Sequence, residues 1–200
     1  MQAHSELILG GQRSGKSRRA ELLARDWLAQ TPDRKAVMIA TATAWDEEML
    51  KRIARHQQDR AERVPGMLTF EEPLSLGQAI QAHSARQTMV VVDCLTLWLT
   101  NLLMPYQDAK TTENSQKNRS KEAVAEQVKA RSASLLTAIQ NAPGPVVLVG
   151  NEIGLGVIPM GRETRDFVDA LGRLNQDVAA SCERVTFMAA GLPLTLKGQA

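Results

Sequence analysis

Residues 8–17 read ILGGQRSGKS, and this stretch limits the fold more than any other. Within it, Gly10-Gly11-Gln12-Arg13-Ser14-Gly15-Lys16-Ser17 fits the spacing G-x-x-x-x-G-K-[ST]. That spacing works only at one kind of junction, where a strand feeds the loop and a helix leaves it. Glycines let the backbone curl until its amides face an anion, and the first helical turn adds partial positive charge. Both flanks fit here. Glu6 to Leu9 reads as a short strand, and Ser14 to about Ala29 as a helix with Ala20, Leu23, Trp27 and Leu28 near helical spacing. In such a loop Lys16 reaches the β and γ phosphates and Ser17 ligates Mg²⁺. The implied ligand is a nucleoside triphosphate.

The rest of the chain continues the alternation. Ala36–Ala40, Met89–Val92, Val146–Val149 and Arg184–Ala189 read as strands, the second ending at Asp93. Thr43-Ala44-Trp45-Asp46 has capping-box spacing and predicts a helix running to roughly Arg60, with Leu50, Ile53 and Ala54 as an apolar stripe toward the sheet. Lys121–Ile139 and Arg162–Ala180 predict two more helices. Continuous apolar strands between helices imply an α/β fold, with a mostly parallel central sheet and helices on both faces. A chain of 200 residues fits a single domain, 1–200, and no repeat or second boundary is visible. The polar run PYQDAKTTENSQKNRS over 105–120 predicts a flexible loop.

Composition excludes some classes of function. With 44% hydrophobic residues the chain can fill a core, and a net charge of +2 carries no electrostatic footprint for nucleic acid or anionic membrane. The longest apolar runs are strand-sized, and MQAHSEL has no signal-peptide pattern. Cys94 and Cys182 are the only cysteines and show no metal-ligand spacing, so a cytoplasmic, reducing setting is expected.

Two further features bear on chemistry. Asp93 ends an apolar strand, where P-loop folds place a carboxylate that helps hold Mg²⁺. Cys94 follows it, rather than the water-activating Glu of many motor ATPases, which disfavours a fast hydrolase. The alternative is that Asp93 merely caps the segment Leu95–Leu103. Arg52, His56 and Arg60 fall four apart and share one helical face. Two guanidinium groups beside an imidazole disfavour its protonated form and can grip phosphate in forked geometry. A neutral imidazole so placed can attack phosphorus. An exposed, mixed-charge helix with an incidental histidine fits the same residues.

Taken together, the motifs resemble one family, the bifunctional adenosylcobinamide kinase/adenosylcobinamide-phosphate guanylyltransferases of cobalamin biosynthesis. The resemblance rests on the loop at 10–17, Ala-Thr-Ala-Thr at 40–43, Asp46-Glu47-Glu48-Met49 leading to Arg52-Ile53-x-x-His56, and Glu71-Glu72-Pro73. It continues in Val92-Asp93-Cys94-Leu95-Thr96-Leu97-Trp98, in Asn151-Glu152-Ile153-Gly154-Leu155-Gly156, and in Gly172-Arg173-Leu174-Asn175-Gln176. It implies a P-loop NTPase-type, RecA-like fold and two reactions. In the first, ATP or GTP phosphorylates the aminopropanol hydroxyl of adenosylcobinamide, with Lys16 catalytic. In the second, GMP passes from GTP to His56 and then to the corrinoid phosphate. By the same resemblance Gly10, Gly11, Gln12, Arg13, Ser14, Gly15, Lys16, Ser17, Thr41, Ala42, Thr43, Gln57, Gln58, Asp59, Arg60, Glu71 and Asp93 contact nucleotide. Ser17 and Asp93 hold the metal, and the family assembles as a homotrimer.

Asn151 and Glu152 follow a strand end, the usual ligand edge of an open α/β sheet, and Arg162 and Arg165 are candidates for gripping phosphate. The chain departs from the family at Ala61-Glu62-Arg63-Val64-Pro65, where relatives often have Arg-Pro and a tryptophan, and at Gln12, often Ala. A plain P-loop small-molecule kinase without histidine chemistry and a non-enzymatic nucleotide-gated module are the competing readings.

Overall fold

Strand residues alternate in direction, so a run that is apolar throughout must be covered on both sides. The computed structural model, which describes residues 4–44, 46–104 and 121–199, has that arrangement. The chain runs β1 (Ser5–Gly10), α1 (Lys16–Leu28), β2 (Lys35–Ala40), α2 (Glu47–Arg63), β3 (Leu68–Glu71), α3 (Leu76–His83) and β4 (Thr88–Asp93). It continues through α4 (Leu95–Leu103), α5 (Lys121–Asn141), β5 (Val146–Val149), α6 (Arg162–Ser181), β6 (Arg184–Ala189) and β7 (Leu192–Lys197). The polar loop expected at 105–120 lies outside the described residues.

One seven-stranded sheet has the order β3-β2-β4-β5-β1-β6-β7. Only the β6–β7 pair is antiparallel. Leu7, Leu9, Ile39, Val90, Val92 and Leu148 point to one face, where α3, α4, α5 and α6 cover them. Ile8, Met38, Met89, Val91 and Val147 point to the other, against Ala20, Ala24 and Trp27 of α1. The expected mostly parallel sheet with helices on both faces is what forms. Each fully buried Leu or Ile in these layers is worth about 1.5–3 kcal/mol relative to exposure.

Three elements escape the sequence reading. β3 is a short edge strand with all four residues exposed. α3 is barely two turns long. β7 carries Leu192, Leu194 and Leu196 on one exposed face, and it returns through Ala190 and Gly191 at φ 51° and 80°. Two positive φ angles make a primed hairpin turn, whose twist suits antiparallel neighbours.

Helix α2 departs from expectation in two ways. Its cap is Asp46 itself, whose carboxylate accepts the Met49 amide at 2.7 Å, so Thr43–Asp46 is no capping box. The Thr43 hydroxyl instead donates to Asn101 Oδ1 at 3.4 Å. The stripe of Leu50, Ile53 and Ala54 does not reach the sheet, since Leu50 is 55% exposed and Ala54 is exposed. That face of the sheet is already occupied by α1. The last turn of α2 makes the attachment instead. Arg63 Nη1 donates to Glu21 Oε2 of α1 at 2.6 Å and Nη2 to Asp59 Oδ2 at 3.1 Å, while Arg60 and Val64 are buried. Glu21, only 2% exposed, needs a cation because a buried carboxylate without a partner is expensive. Its hydrogen bond in turn raises the Arg63 pKa.

Candidate active site

The phosphate loop occupies the β1–α1 junction at the carboxyl edge of the sheet, as the sequence predicts. Gly10 is the tight point. A Cβ there would lie 2.5 Å from the Met188 carbonyl oxygen of β6 and 2.7 Å from Ser14 Oγ, and its φ is 150°. Gly15 turns the chain into the helix at φ 99°. The β6–β7 turn braces the loop from below, since the Gly191 amide donates to the Ser14 carbonyl at 3.0 Å. This brace joins residues far apart in the chain, and nothing local signals it.

Lys16 folds back over the loop, donating to the Gly11 carbonyl at 2.6 Å and reaching Ser14 Oγ at 3.5 Å. The residue is buried, and desolvation lowers its pKa, opposed near neutral pH by the Asp93 carboxylate. A desolvated ammonium held by neutral partners gains strongly when an anion arrives. Ser17 is half-buried in the first turn of α1.

Asp93 ends β4, paired with Ala40 of β2 and Val149 of β5. It is not the cap of α4. Cys94 holds that position, with no side-chain capping bond. The Asp93 carboxylate therefore stays at the sheet edge, half-buried and within electrostatic reach of Lys16. The Cys94 thiol is pushed up to about 12, mainly by burial, so it stays protonated and offers no nucleophile near neutral pH.

Thr41, one of the expected nucleotide contacts, turns its side chain inward. It is 0% exposed, and its hydroxyl donates to the Cys94 carbonyl at 2.7 Å while accepting the Cys94 amide at 2.8 Å. Its side chain fastens the β2 and β4 ends together. Asn101, which the sequence reading missed, completes the fastening. Its buried amide donates to the Thr41 carbonyl at 2.8 Å and to the Pro73 carbonyl at 3.2 Å. Ala42 and Thr43, half-buried, emerge just beyond.

The β5 end adds a second group of polar residues. The Glu152 amide donates to the Gly10 carbonyl at 3.1 Å, tying this segment to the start of the phosphate loop. Asn175 of α6 donates to the Asn151 carbonyl at 3.0 Å and to Glu152 Oε2 at 3.4 Å. A cleft of ≈ 560 Å³ opens beside Glu152, between the segment Ile153–Pro159 and the α6 residues Arg165 and Arg173. Arg165 Nη1 is engaged with the Pro159 and Met160 carbonyls, and Arg162 lies 4.0 Å from Asp166 on an exposed face. These contacts occupy only Nη1 of Arg165 and a marginal exposed pair of Arg162, so both keep other guanidinium donors open to an anion.

The structure brings residues 10–17, Ala42, Thr43 and Asp93 to one edge. Among the described residues no hydrogen bond or ion pair joins an α2 side chain to that group. His56 is half-buried, two turns back from the Arg63 anchor, or roughly 10 Å along the axis at 1.5 Å per residue. Among the described residues none hydrogen-bonds its ring; the Arg52 side chain lies outside them. Gln57 and Gln58 are exposed, Asp59 is held by Arg63, and Arg60 is buried. Glu71 is exposed at the end of edge strand β3.

The family described as Cobinamide kinase / cobinamide phosphate guanyltransferase matches residues 6–196. The bifunctional adenosylcobalamin biosynthesis protein CobP of Pseudomonas aeruginosa is 44% identical over 97% of this chain and 98% of its own. The bifunctional adenosylcobalamin biosynthesis protein CobU of Escherichia coli K12 is 36% identical over 96% of this chain and 98% of its own. Among solved structures, the flagellar accessory protein FlaH of Methanocaldococcus jannaschii aligns with a TM-score of 0.48 at 11% identity, over 98% of this chain and 80% of that one.

Proposed function

The chain belongs to the cobinamide kinase / cobinamide phosphate guanyltransferase family, and from that premise we propose how its residues divide the two reactions. It is a transferase of cobalamin biosynthesis, a kinase and a guanylyltransferase in one domain. The observation that carries the assignment of roles is the preformed cradle at 10–17, with a buried Lys16 folded over it and Asp93 within electrostatic reach.

In the kinase step the loop amides and Lys16 bind the β and γ phosphates of ATP or GTP. The γ-phosphoryl group moves to the hydroxyl of the corrinoid's aminopropanol arm. In the transferase step the same cradle holds GTP. An imidazole nitrogen of His56 bonds to the α-phosphorus as the bond to the leaving pyrophosphate breaks. A phosphate oxygen of the corrinoid product then displaces the imidazole, giving the corrinoid-GDP. The covalent intermediate divides one nucleotidyl transfer into two displacements. Residues Gln57, Gln58, Asp59 and Arg60 share the His56 helix and travel with it, and Glu71, an exposed carboxylate, suits the N1–H and N2–H of guanine.

The donor set at the cradle suits Mg²⁺. The Ser17 hydroxyl and the Asp93 carboxylate are hard oxygen ligands, and no cluster of three or more His, Cys, Asp or Glu forms a cage among the described residues. Two oxygen ligands beside bound phosphates are the usual provision for a metal that arrives with nucleotide. It would neutralise charge developing on the leaving phosphate. No described helix is long and apolar enough to cross a membrane. A cytoplasmic, homotrimeric enzyme without nucleic-acid partners completes the reading.

The test uses GTP labelled at the α- or at the γ-phosphate. Acid-labile, alkali-stable label from the α position only, lost in His56→Ala, is the expected result. Phosphoryl transfer to cobinamide with no covalent label from either position would reduce the protein to a plain kinase.

A further inference from the structure

The two reactions need different things from the protein. GMP transfer to His56 needs a nucleophile that is already basic. Phosphorylation of an alcohol needs a group to take the hydroxyl proton as oxygen bonds to phosphorus. No side chain of the cradle is left to do this. Lys16 is committed to phosphate, and Asp93 to the metal and the lysine.

We propose that Glu152 is the general base of the kinase step, held in place by Asn175, and that the cleft beside it receives the alcohol-bearing arm of the acceptor. Three observations on the structure lead there. First, strand order sets the position. β5 lies between β1, which feeds the phosphate loop, and β4, which ends at Asp93. The segment leaving β5 is therefore one strand spacing, about 5 Å, from each. The 3.1 Å bond from the Glu152 amide to the Gly10 carbonyl locks it beside the loop.

Second, the carboxylate is oriented but not neutralised. Oε1 accepts the Gly154 amide at 3.1 Å and Oε2 accepts Asn175 Nδ2 at 3.4 Å. Among the described residues no lysine or arginine pairs with it. A carboxylate has about four acceptor sites, so lone pairs remain for a hydroxyl. Third, Asn175 is only 3% exposed and its Oδ1 has no partner, although its amide hydrogens are spent on the Asn151 carbonyl and Glu152. Burying an unpaired amide oxygen is unfavourable, and it is tolerated here where the same side chain aims a carboxylate.

Glu152 also lines the ≈ 560 Å³ cleft, whose other wall combines exposed Ile153, Val157 and Ile158 with Arg165 and Arg173. An apolar wall with guanidinium donors can seat an acceptor that carries both apolar surface and hydrogen-bond-accepting oxygens. The step balances as follows. The hydroxyl O–H bond breaks and its proton goes to a Glu152 oxygen. The alcohol oxygen bonds to the γ-phosphorus, and the bond to the bridging oxygen breaks, leaving its electron pair on the nucleoside diphosphate. Glu152 later returns the proton to water.

This inference rests on the kinase half of the reading above, and the experiment separates the two. Wild type, Glu152→Gln and Glu152→Asp are assayed for phosphoryl transfer from ATP to cobinamide and for α-label uptake from GTP. Glu152→Gln is expected to lower kcat for phosphorylation by 10²–10⁴-fold. KM for ATP and the rate of GMP labelling should stay within about threefold, and Glu152→Asp should recover at least tenfold over Gln. Asn175→Ala should lower kcat in the wild-type background and have no further effect in Glu152→Gln, which a merely structural role would not produce. Kinase turnover within tenfold in Glu152→Gln overturns the proposal. So does parallel loss of labelling and kinase activity, or a defect relieved by raising Mg²⁺. If Glu152→Gln fails to fold, Glu152→Ala with kinase turnover within tenfold of wild type also overturns it. A wild-type protein that labels His56 but phosphorylates no acceptor removes the kinase reading itself.

Discussion

Replacing Arg63 with methionine should separate the two activities, because Arg63 holds the helix that carries His56. In the native protein its guanidinium spans Glu21 at 2.6 Å and Asp59 at 3.1 Å. Glu21 is 2% exposed, and Arg63 itself is 37% exposed. Breaking a fully buried pair by removing one partner costs about 3–5 kcal/mol. Solvent reaches the arginine end, and exposed pairs are worth only about 0–1 kcal/mol, so an intermediate loss of about 2 kcal/mol is expected. For a chain of this length that lowers Tm by about 4–8 °C. Methionine keeps most of the aliphatic volume, so lost packing contributes little. The penalty arises chiefly from a stranded Glu21 carboxylate, so Glu21→Gln combined with Arg63→Met should recover more than half of it. Thermal unfolding measures the stability. α-labelled GTP and cobinamide phosphorylation measure the two reactions on the same preparations. GMP labelling should fall at least tenfold, while phosphorylation, whose chemistry the proposed division of roles assigns to the loop and not to His56, should change less than threefold. Unchanged Tm, no rescue in the double variant, or equal loss of both activities would refute the reasoning.

Two further outcomes follow from the loop. Gly10→Ala places a methyl 2.5 Å from a main-chain oxygen that cannot swing aside, so nucleotide affinity should fall at least tenfold and stability by about 1–3 kcal/mol, read by titration and thermal melting. Lys16→Met should abolish phosphoryl transfer yet raise the Tm of the nucleotide-free protein, since it removes a desolvated charge. The sign follows from the lowered pKa. Between the folded value and the ordinary 10.5 the unfolded chain binds more protons, so wild-type stability rises with pH and its deficit against Lys16→Met closes there. A deficit that widens with pH would contradict this.

The sheet strands and the phosphate loop were legible because each is specified by residues adjacent in the chain. β1, β2, β4 and β5 each hold an unbroken run of three or more apolar residues, and a run like Met89–Val92 can only be buried on both faces. The misreadings occurred where burial is partial. β3 and β7 lie at sheet edges with exposed side chains, so no contrast in hydrophobicity marks them. On α2, Leu50, Ile53 and Ala54 have the period of a buried stripe, but α1 already covers that part of the sheet.

By itself, then, the order of residues determined a nucleotide-binding α/β domain, the position and chemistry of its cradle, and the histidine worth testing. Tertiary structure alone decided that Thr41 serves the backbone of Cys94, that Asn101 and Asn175 fasten loops on either side of the sheet edge, and that α2 is held by a single turn. The division has a physical cause. Backbone conformation in a strand, turn or helix is set by neighbours a few residues away. A buried hydrogen bond joins groups dozens of positions apart, and its geometry exists only once the layers have packed.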